Sequence, residues 1–405
     1  MRNVKDYGAI GDGVTLDTAA FQKAIDAGGM VYVPEGEYIV GTLYLKSNGG
    51  LHLALGSVLK GSHRREDYNS DDFCVQNRVF SEELVTGAHL IVAVEQENII
   101  IEGHGTIDGQ GNYWMNDKNT IPGYPVVENR DYKPNPERPG QMLFFCECEN
   151  IHISDVNIVN GPYWHLFLHG CTRATLHGLK IRGDRPRWTN DGIDLDCCSE
   201  VTVSDCIIDV GDDALTLRGY DEPLKEKKPC EKITVTNCIL RSHRDYGIRI
   251  GVGAGTIRNC IISNCDIEAP NNCGLGIMGR WSAESKYATS VEDLLCYGLN
   301  IRSDRSLELV LAFGDEPLPN ECHICNIKLS CLNLLSDKSI RLLGFQKEHL
   351  KNISLSDITL KHKIGAPLTV EYADNVVISS FRSDNEECEI LTENCTKVYL
   401  DGKTI

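Results

Sequence analysis

One apolar position returns along most of the chain, as Ile158, Ile181, Ile208, Leu240, Ile267, Ile301, Leu334 and Leu360, at intervals of 23, 27, 32, 27, 34, 33 and 26 residues. Short apolar runs separated by Gly, Asn, Asp and Ser fill the intervals, with no helical period. Strand-rich units of this length, repeated without helices, stack as a β-solenoid in which each turn of chain adds one rung. Leucine-rich repeats share the period but need a Leu-x-x-Leu-x-Leu consensus that is absent here, and propeller blades need longer units. The repetition therefore predicts one all-β solenoid domain over residues 1–405.

In a solenoid, equivalent residues of successive turns lie about 4.8 Å apart, so alignment becomes geometry. The pairs Leu166/Leu168, Ile193/Leu195, Leu215/Leu217, Ile248/Ile250 and Leu275/Ile277 register as inward-facing, and the residues between them face outward. Ahead of the strands, Ala19–Ala27 has helical spacing after an Asp/Thr start signal, which predicts one capping helix. Gly11 and Gly13 precede it without the βαβ context of a phosphate-binding loop. Two stretches depart from the rung pattern. Residues 111–140 are rich in Pro, Asn and aromatics (Tyr113, Trp114, Tyr124, Tyr132), and 220–231 are charged, with Pro223 and Pro229. Both read as loop insertions, of the kind that wall a binding site on a rigid scaffold.

The net charge of −18 argues against a nucleic-acid partner or an anionic membrane surface. Eighteen cysteines would suggest a disulfide framework, but many sit inside apolar strands, as Cys206, Cys238 and Cys265 do, where a reduced thiol packs as a small hydrophobe. With an opening segment that lacks the apolar core of a secretory signal, the thiols predict a cytoplasmic protein. Cys322 and Cys325 have the spacing of half a zinc site, but no second pair matches it. No metal and no cofactor are expected.

Carboxylates crowd the ends of two strands, in Thr189-Asn-Asp-Gly-Ile-Asp194 and Gly211-Asp-Asp213. Aligning Ile193 with Leu215 sets Asp191 level with Asp213, with Asp212 beside it and Trp164 in the same column one rung earlier. Such crowding is costly and raises at least one pKa, which points to a metal site or to acid/base chemistry. Trp164, Tyr163 and Trp188 offer faces for sugar rings. Arg182, Arg185, Arg187, Arg218, Arg249 and Arg280 supply cations that favour an anionic organic ligand over a metal ion.

Taken together, these motifs resemble the polygalacturonase family, glycoside hydrolase family 28. The resemblance rests on Asp6-Tyr-Gly-Ala-Ile-Gly-Asp-Gly13, Gly105-Thr-Ile-Asp-Gly-Gln-Gly111, Gly161-Pro-Tyr-Trp164, the Thr189–Asp194 motif with its first two residues exchanged, and the intact Gly211-Asp212-Asp213. It implies a right-handed parallel β-helix and an inverting glycosidase acting on a pectin-type or related oligosaccharide. Asp212 would be the general acid. Asp191 and Asp213 would activate the attacking water, and Asp194 would contact the sugar. Exo-type cleavage is expected on imported oligosaccharides. A lyase or epimerase on the same fold, or a non-catalytic carbohydrate-binding solenoid, are the alternatives.

Two parts of the pattern differ. The family's Gly-His-Gly-x-Ser-Ile-Gly aligns with Asp245-Tyr246-Gly-Ile-Arg249-Ile-Gly251, so Tyr246 replaces the usual histidine. Its Arg-Ile-Lys, which holds substrate carboxylates next to the scissile bond, aligns with Gly276-Ile-Met278. Arg249 or Arg280 could take over that role at a shifted position, or a neutral sugar or a rhamnose-containing pectin fragment would fit the loss of both cations without further adjustment. Trp164, Trp188, Arg218, Tyr246, Arg249 and Arg280 are the expected substrate contacts.

Overall fold

The computed structural model describes residues 1–77, 85–115, 135–185, 187–280, 285–312, 317–384 and 389–405. The chain is an all-β, right-handed parallel β-helix with, among the described residues, one short α-helix near its start. By its contacts it divides into two compact units: Met1–Asp194 with Cys206–Val210 and Glu222–Lys225, and Leu195–Asp205 with Gly211–Asp221 and Glu226–Ile405.

In the first unit each turn supplies three strands. Leu143–Cys146, Glu149–Ser154 and Asn157–Val159 form one turn, and each pairs in parallel with its counterpart in the next turn, Leu166–His169, Thr172–His177 and Lys180–Arg182. The repeating apolar position lies in register as predicted, Ile158 opposite Ile181 and Ile181 opposite Ile208. The second unit continues the rule, with Leu240, Ile267, Ile301, Leu334 and Leu360 as successive partners. Its inward pairs also stack as the alternation requires, Leu215 on Ile248 on Leu275 and Leu217 on Ile250 on Ile277.

The Gly/Asn/Asp punctuation has a specific cause. One corner of each turn requires a left-handed backbone, adopted in the first unit by Asn48, Asn98 and Asn150 with φ of 60°, 55° and 57°. Asparagine enters this region at low cost, and stacking it adds side-chain bonds. Asn98 Nδ2 donates to Asn48 Oδ1 at 2.7 Å, and Asn150 Nδ2 to Asn98 Oδ1 at 2.6 Å. In the second unit Asp293, Asn326, Asn352 and Asn375 form an equivalent ladder, with donor–acceptor distances of 3.0, 2.9 and 2.8 Å.

Cysteines pack as small hydrophobes inside the coil. Cys230, Cys260 and Cys296 are buried on successive turns, whereas Cys331 is exposed. Burial pushes the Cys260 and Cys296 thiols up to about 12 and raises Cys230 further.

The helix spans Thr18–Asp26 and buries Ala20, Phe21, Ala24 and Ile25, with Phe21 set edge-on against Tyr38. Asp17 stands at its start but does not cap it. Its carboxylate accepts from the Ile10 and Gly11 amides at 2.8 and 3.0 Å, and so fastens the glycine-rich opening turn. Of the first predicted insertion, Gly111–Trp114 is a 3-10 turn with Trp114 buried and Tyr113 stacked on His63; Tyr124 and Tyr132 lie outside the described residues. The segment after Tyr220 re-enters the coil as a strand at Cys230–Thr236.

Candidate active site

The first unit presents Asp191 from a rigid, polar scaffold. The Gly161 amide donates to His165 Nε2 at 3.0 Å, which leaves Nδ1–H to donate to the Asp191 carbonyl at 2.8 Å. Burial lowers the His165 pKa to about 4, so the ring is neutral and this tautomer persists at physiological pH. Arg138 donates to the Pro162 carbonyl and to Thr189 Oγ1, at 3.2 and 3.1 Å, and lies over the Tyr163 ring. These bonds hold Thr189 at φ 61°, an unfavourable backbone for a β-branched residue. Asn190 Nδ2 reaches the Asp184 carbonyl at 2.9 Å. The carboxylates of Asp191 and Asp194 are both buried.

Several of the expected cations serve other purposes. Arg187 is buried and donates to the Gly161 carbonyl and to Asn112 Oδ1, so it braces the Gly161–Trp164 turn instead of facing a ligand. Arg185 pairs with Asp209 on the exposed surface, and Arg182 is exposed. Trp164 is buried, stacked on Tyr163 and edge-on to Phe167, whereas Trp188 is 39% exposed. His165 and Arg138 were not singled out in the sequence, because a lone His ahead of a strand or an Arg in a Pro-rich segment carries no local signal.

The second unit holds Asp212 and Asp213. Asp212 Oδ1 accepts the Asp213 amide at 3.0 Å. Asp213 Oδ1 accepts the Tyr246 amide at 2.9 Å and Oδ2 accepts Arg249 Nη1 at 3.1 Å, with Arg249 lying over the Tyr246 ring. Asp245 joins them, bonded to Asp212 and accepting Asn272 Nδ2 at 2.6 Å. Burial, reinforced by the charges of Asp213 and Asp212, pushes the Asp245 carboxyl up to about 9. The cluster therefore retains a proton at neutral pH, as the crowding of carboxylates predicted, but on a residue the sequence reading passed over.

A pH dependence follows. The folded chain keeps a proton on Asp245 that the unfolded chain releases near the ordinary carboxylate value of 3.8. The stabilisation from this group is complete below about 4 and is lost as pH rises through about 9. Thermal unfolding of the wild type and Asp245→Asn across pH 4–9 should show the wild type losing stability relative to the variant; parallel curves would contradict the assignment.

Of the remaining expected contacts, Arg218 is nearly buried and lies 3.6 Å from Asp196, whose Oδ1 takes the Tyr220 amide. Arg280 is buried with Nε donating to the Ser285 carbonyl at 3.1 Å. Cys322 is buried as a packing residue, while Cys325 lies near His323 and Glu292, themselves paired at 3.0 Å.

Residues 59–292 match the model of glycosyl hydrolases family 28, and residues 1–56 match that of the rhamnogalacturonase A/epimerase, pectate lyase-like family. A probable polygalacturonase of Arabidopsis thaliana is 26% identical over 305 residues, which cover 71% of this chain and 56% of that one. The exo-poly-alpha-D-galacturonosidase of Dickeya chrysanthemi is 27% identical over 316 residues, covering 67% and 51%. The chain thus spans about half the length of the curated relatives it matches. Among solved structures, the family 28 exopolygalacturonase of Yersinia enterocolitica superposes with a TM-score of 0.74 at 18% identity, over 100% of this chain and 78% of that one.

Proposed function

The chain belongs to glycosyl hydrolases family 28, and from that premise we propose that it hydrolyses a pectin-type or related oligosaccharide with inversion, releasing units from a chain end. The observation that carries this reading is the cluster of buried carboxylates at Gly211-Asp212-Asp213, in which Asp212 is bonded to Asp245 and Asp213 to Arg249. Inverting hydrolysis needs one protonated acid for the leaving oxygen and one ionised carboxylate to activate water. Asp212 is the general acid, and its hydrogen bond to Asp245 gives it a neighbouring proton to draw on. Asp213, bonded to Arg249 and to the Tyr246 amide, takes a proton from the attacking water, and the family resemblance gives Asp191 the same role.

The step balances. Water adds to the anomeric carbon, the glycosidic bond breaks with its electron pair on the leaving oxygen, Asp212 protonates that oxygen, and the base carboxylates accept the proton of the water. Chain-end action is supported by the exo-acting relatives. The free, buried thiols support a cytoplasmic location, with imported oligosaccharides as substrates.

Product analysis on a panel of pectic and neutral oligosaccharides tests the reading. We expect release from one chain end and, by NMR at early times, a product anomer opposite to that of the cleaved bond. Random internal fragments would refute chain-end action, and the retained anomer would refute inversion.

A further inference from the structure

The Cys322-His-Ile-Cys325 run meets its partner across the coil and not along the chain. Strand alternation turns Cys322 and Ile324 inward, where both are buried, and leaves His323 and Cys325 together on the outer face. The turn before supplies the third group through register. Cys325 is the register partner of Glu292, and the Val291 amide donates to the His323 carbonyl at 2.8 Å, which fixes the residue ahead of the strand in line with it.

The three side chains converge. His323 Nε2 lies 3.0 Å from Glu292 Oε2, and the thiol of Cys325, the ring of His323 and the carboxylate of Glu292 each place a donor atom within 4.8 Å of the other two. Zinc bonds of about 2.0–2.3 Å in a tetrahedral site set neighbouring donors about 3.3–3.8 Å apart, so side-chain movements of about an ångström close this triangle round an ion. All three residues are partly open to solvent, which gives the ion an entry path and leaves its fourth position to water.

Neighbouring cations are engaged elsewhere. Arg258, the partner of Glu292 on the turn before, pairs with Glu231 at 2.7 Å, and Lys351, the partner of Cys325 on the turn after, pairs with Glu348 at 2.7 Å. Around the thiol the carboxylates of Glu292, Asp293 and Glu348 outnumber the ammonium of Lys351, a field that attracts a divalent cation. Carboxylates alone would suit calcium or magnesium. A thiol and an imidazole beside a single carboxylate select a softer ion of the zinc class.

We propose that Glu292, His323 and Cys325 bind one zinc-class divalent cation, which clips two successive turns of the coil together. On binding, the Cys325 thiol releases its proton to solvent and the sulfur electron pair passes to the metal, so that thiolate and carboxylate together balance the charge of the ion. The site shares no residue with the carboxylates of the hydrolase reading, and neither depends on the other.

The test titrates the reduced full chain with cobalt(II), and then with zinc, in excess magnesium and calcium. Cobalt(II) should bind with one tetrahedral equivalent, seen as intense visible bands with a near-ultraviolet thiolate charge-transfer band, and zinc should bleach both. Cys325→Ser should abolish the charge-transfer band. His323→Gln and Glu292→Gln should each weaken binding by about a hundredfold, because even the hydrogen-bond partners of metal ligands are worth about 10–100-fold. Cys331→Ser, which removes the exposed thiol, should change nothing. The replaced side chains are partly exposed, so the variants should fold, as melting curves will check; if Cys325→Ser does not, His323→Gln decides with the thiol in place. A wild type without the tetrahedral spectrum, a spectrum and affinity that persist in folded Cys325→Ser or His323→Gln, or a spectrum lost in Cys331→Ser overturns the proposal.

Discussion

Asparagine in place of Asp212 is expected to lower kcat by about 10²–10⁴-fold, the range that a positioned general acid contributes. The substitution is nearly isosteric. Its amide oxygen can still accept the Asp213 amide, which the aspartate holds at 3.0 Å, so the turn should keep its shape. What disappears is the acid that protonates the leaving oxygen, together with the route by which the Asp245 proton reaches it. KM should change little, because the lost interaction belongs to the transition state. Steady-state kinetics with a parallel melting curve checks both halves. A kcat within tenfold of the wild type in a well-folded variant would remove Asp212 from the chemistry.

Arg249→Met is expected to destabilise the protein by about 3–5 kcal/mol, the usual cost of stripping one partner from a buried ion pair. Methionine replaces most of the aliphatic stem, so the effect isolates the charge. Asp213 keeps 2% side-chain exposure and loses the guanidinium 3.1 Å away, while the Tyr246 ring loses the cation over its face. Urea unfolding at pH 7 measures the loss. A loss below about 1 kcal/mol at pH 7 would show that Asp213 does not depend on this cation.

The fold was open to reading because a solenoid converts spacing into contact. Once Ile158 was aligned with Ile181, every later partner to Leu360 followed, and the structure places these residues opposite one another within each unit. The candidate site was legible wherever a motif was short and contiguous, as at Gly211-Asp212-Asp213. It was not legible where function is assembled across turns. The Tyr246 hydroxyl donates to Glu308, 62 positions further along, which in one dimension is simply a charge in a strand. Asp245 stands where the family motif has a glycine, and its partners Asp212 and Asp213 are more than thirty positions away. Arg187 misled for the opposite reason, since its charge suggested a ligand contact while its geometry serves a carbonyl and an amide. Backbone hydrogen bonding of this kind leaves no compositional trace.

The buried thiols of the second unit have a further use. Cys230, Cys260 and Cys296 occupy successive turns, sealed and held far from the thiolate form, whereas Cys331 is open to solvent. A thiolate-selective alkylating reagent would modify Cys331 at once and each of the others only when its own turn opens. In a structure whose turns lean chiefly on their neighbours, the order of modification records the order of unzipping. The packing residues of this coil thus double as timers that need no engineered label.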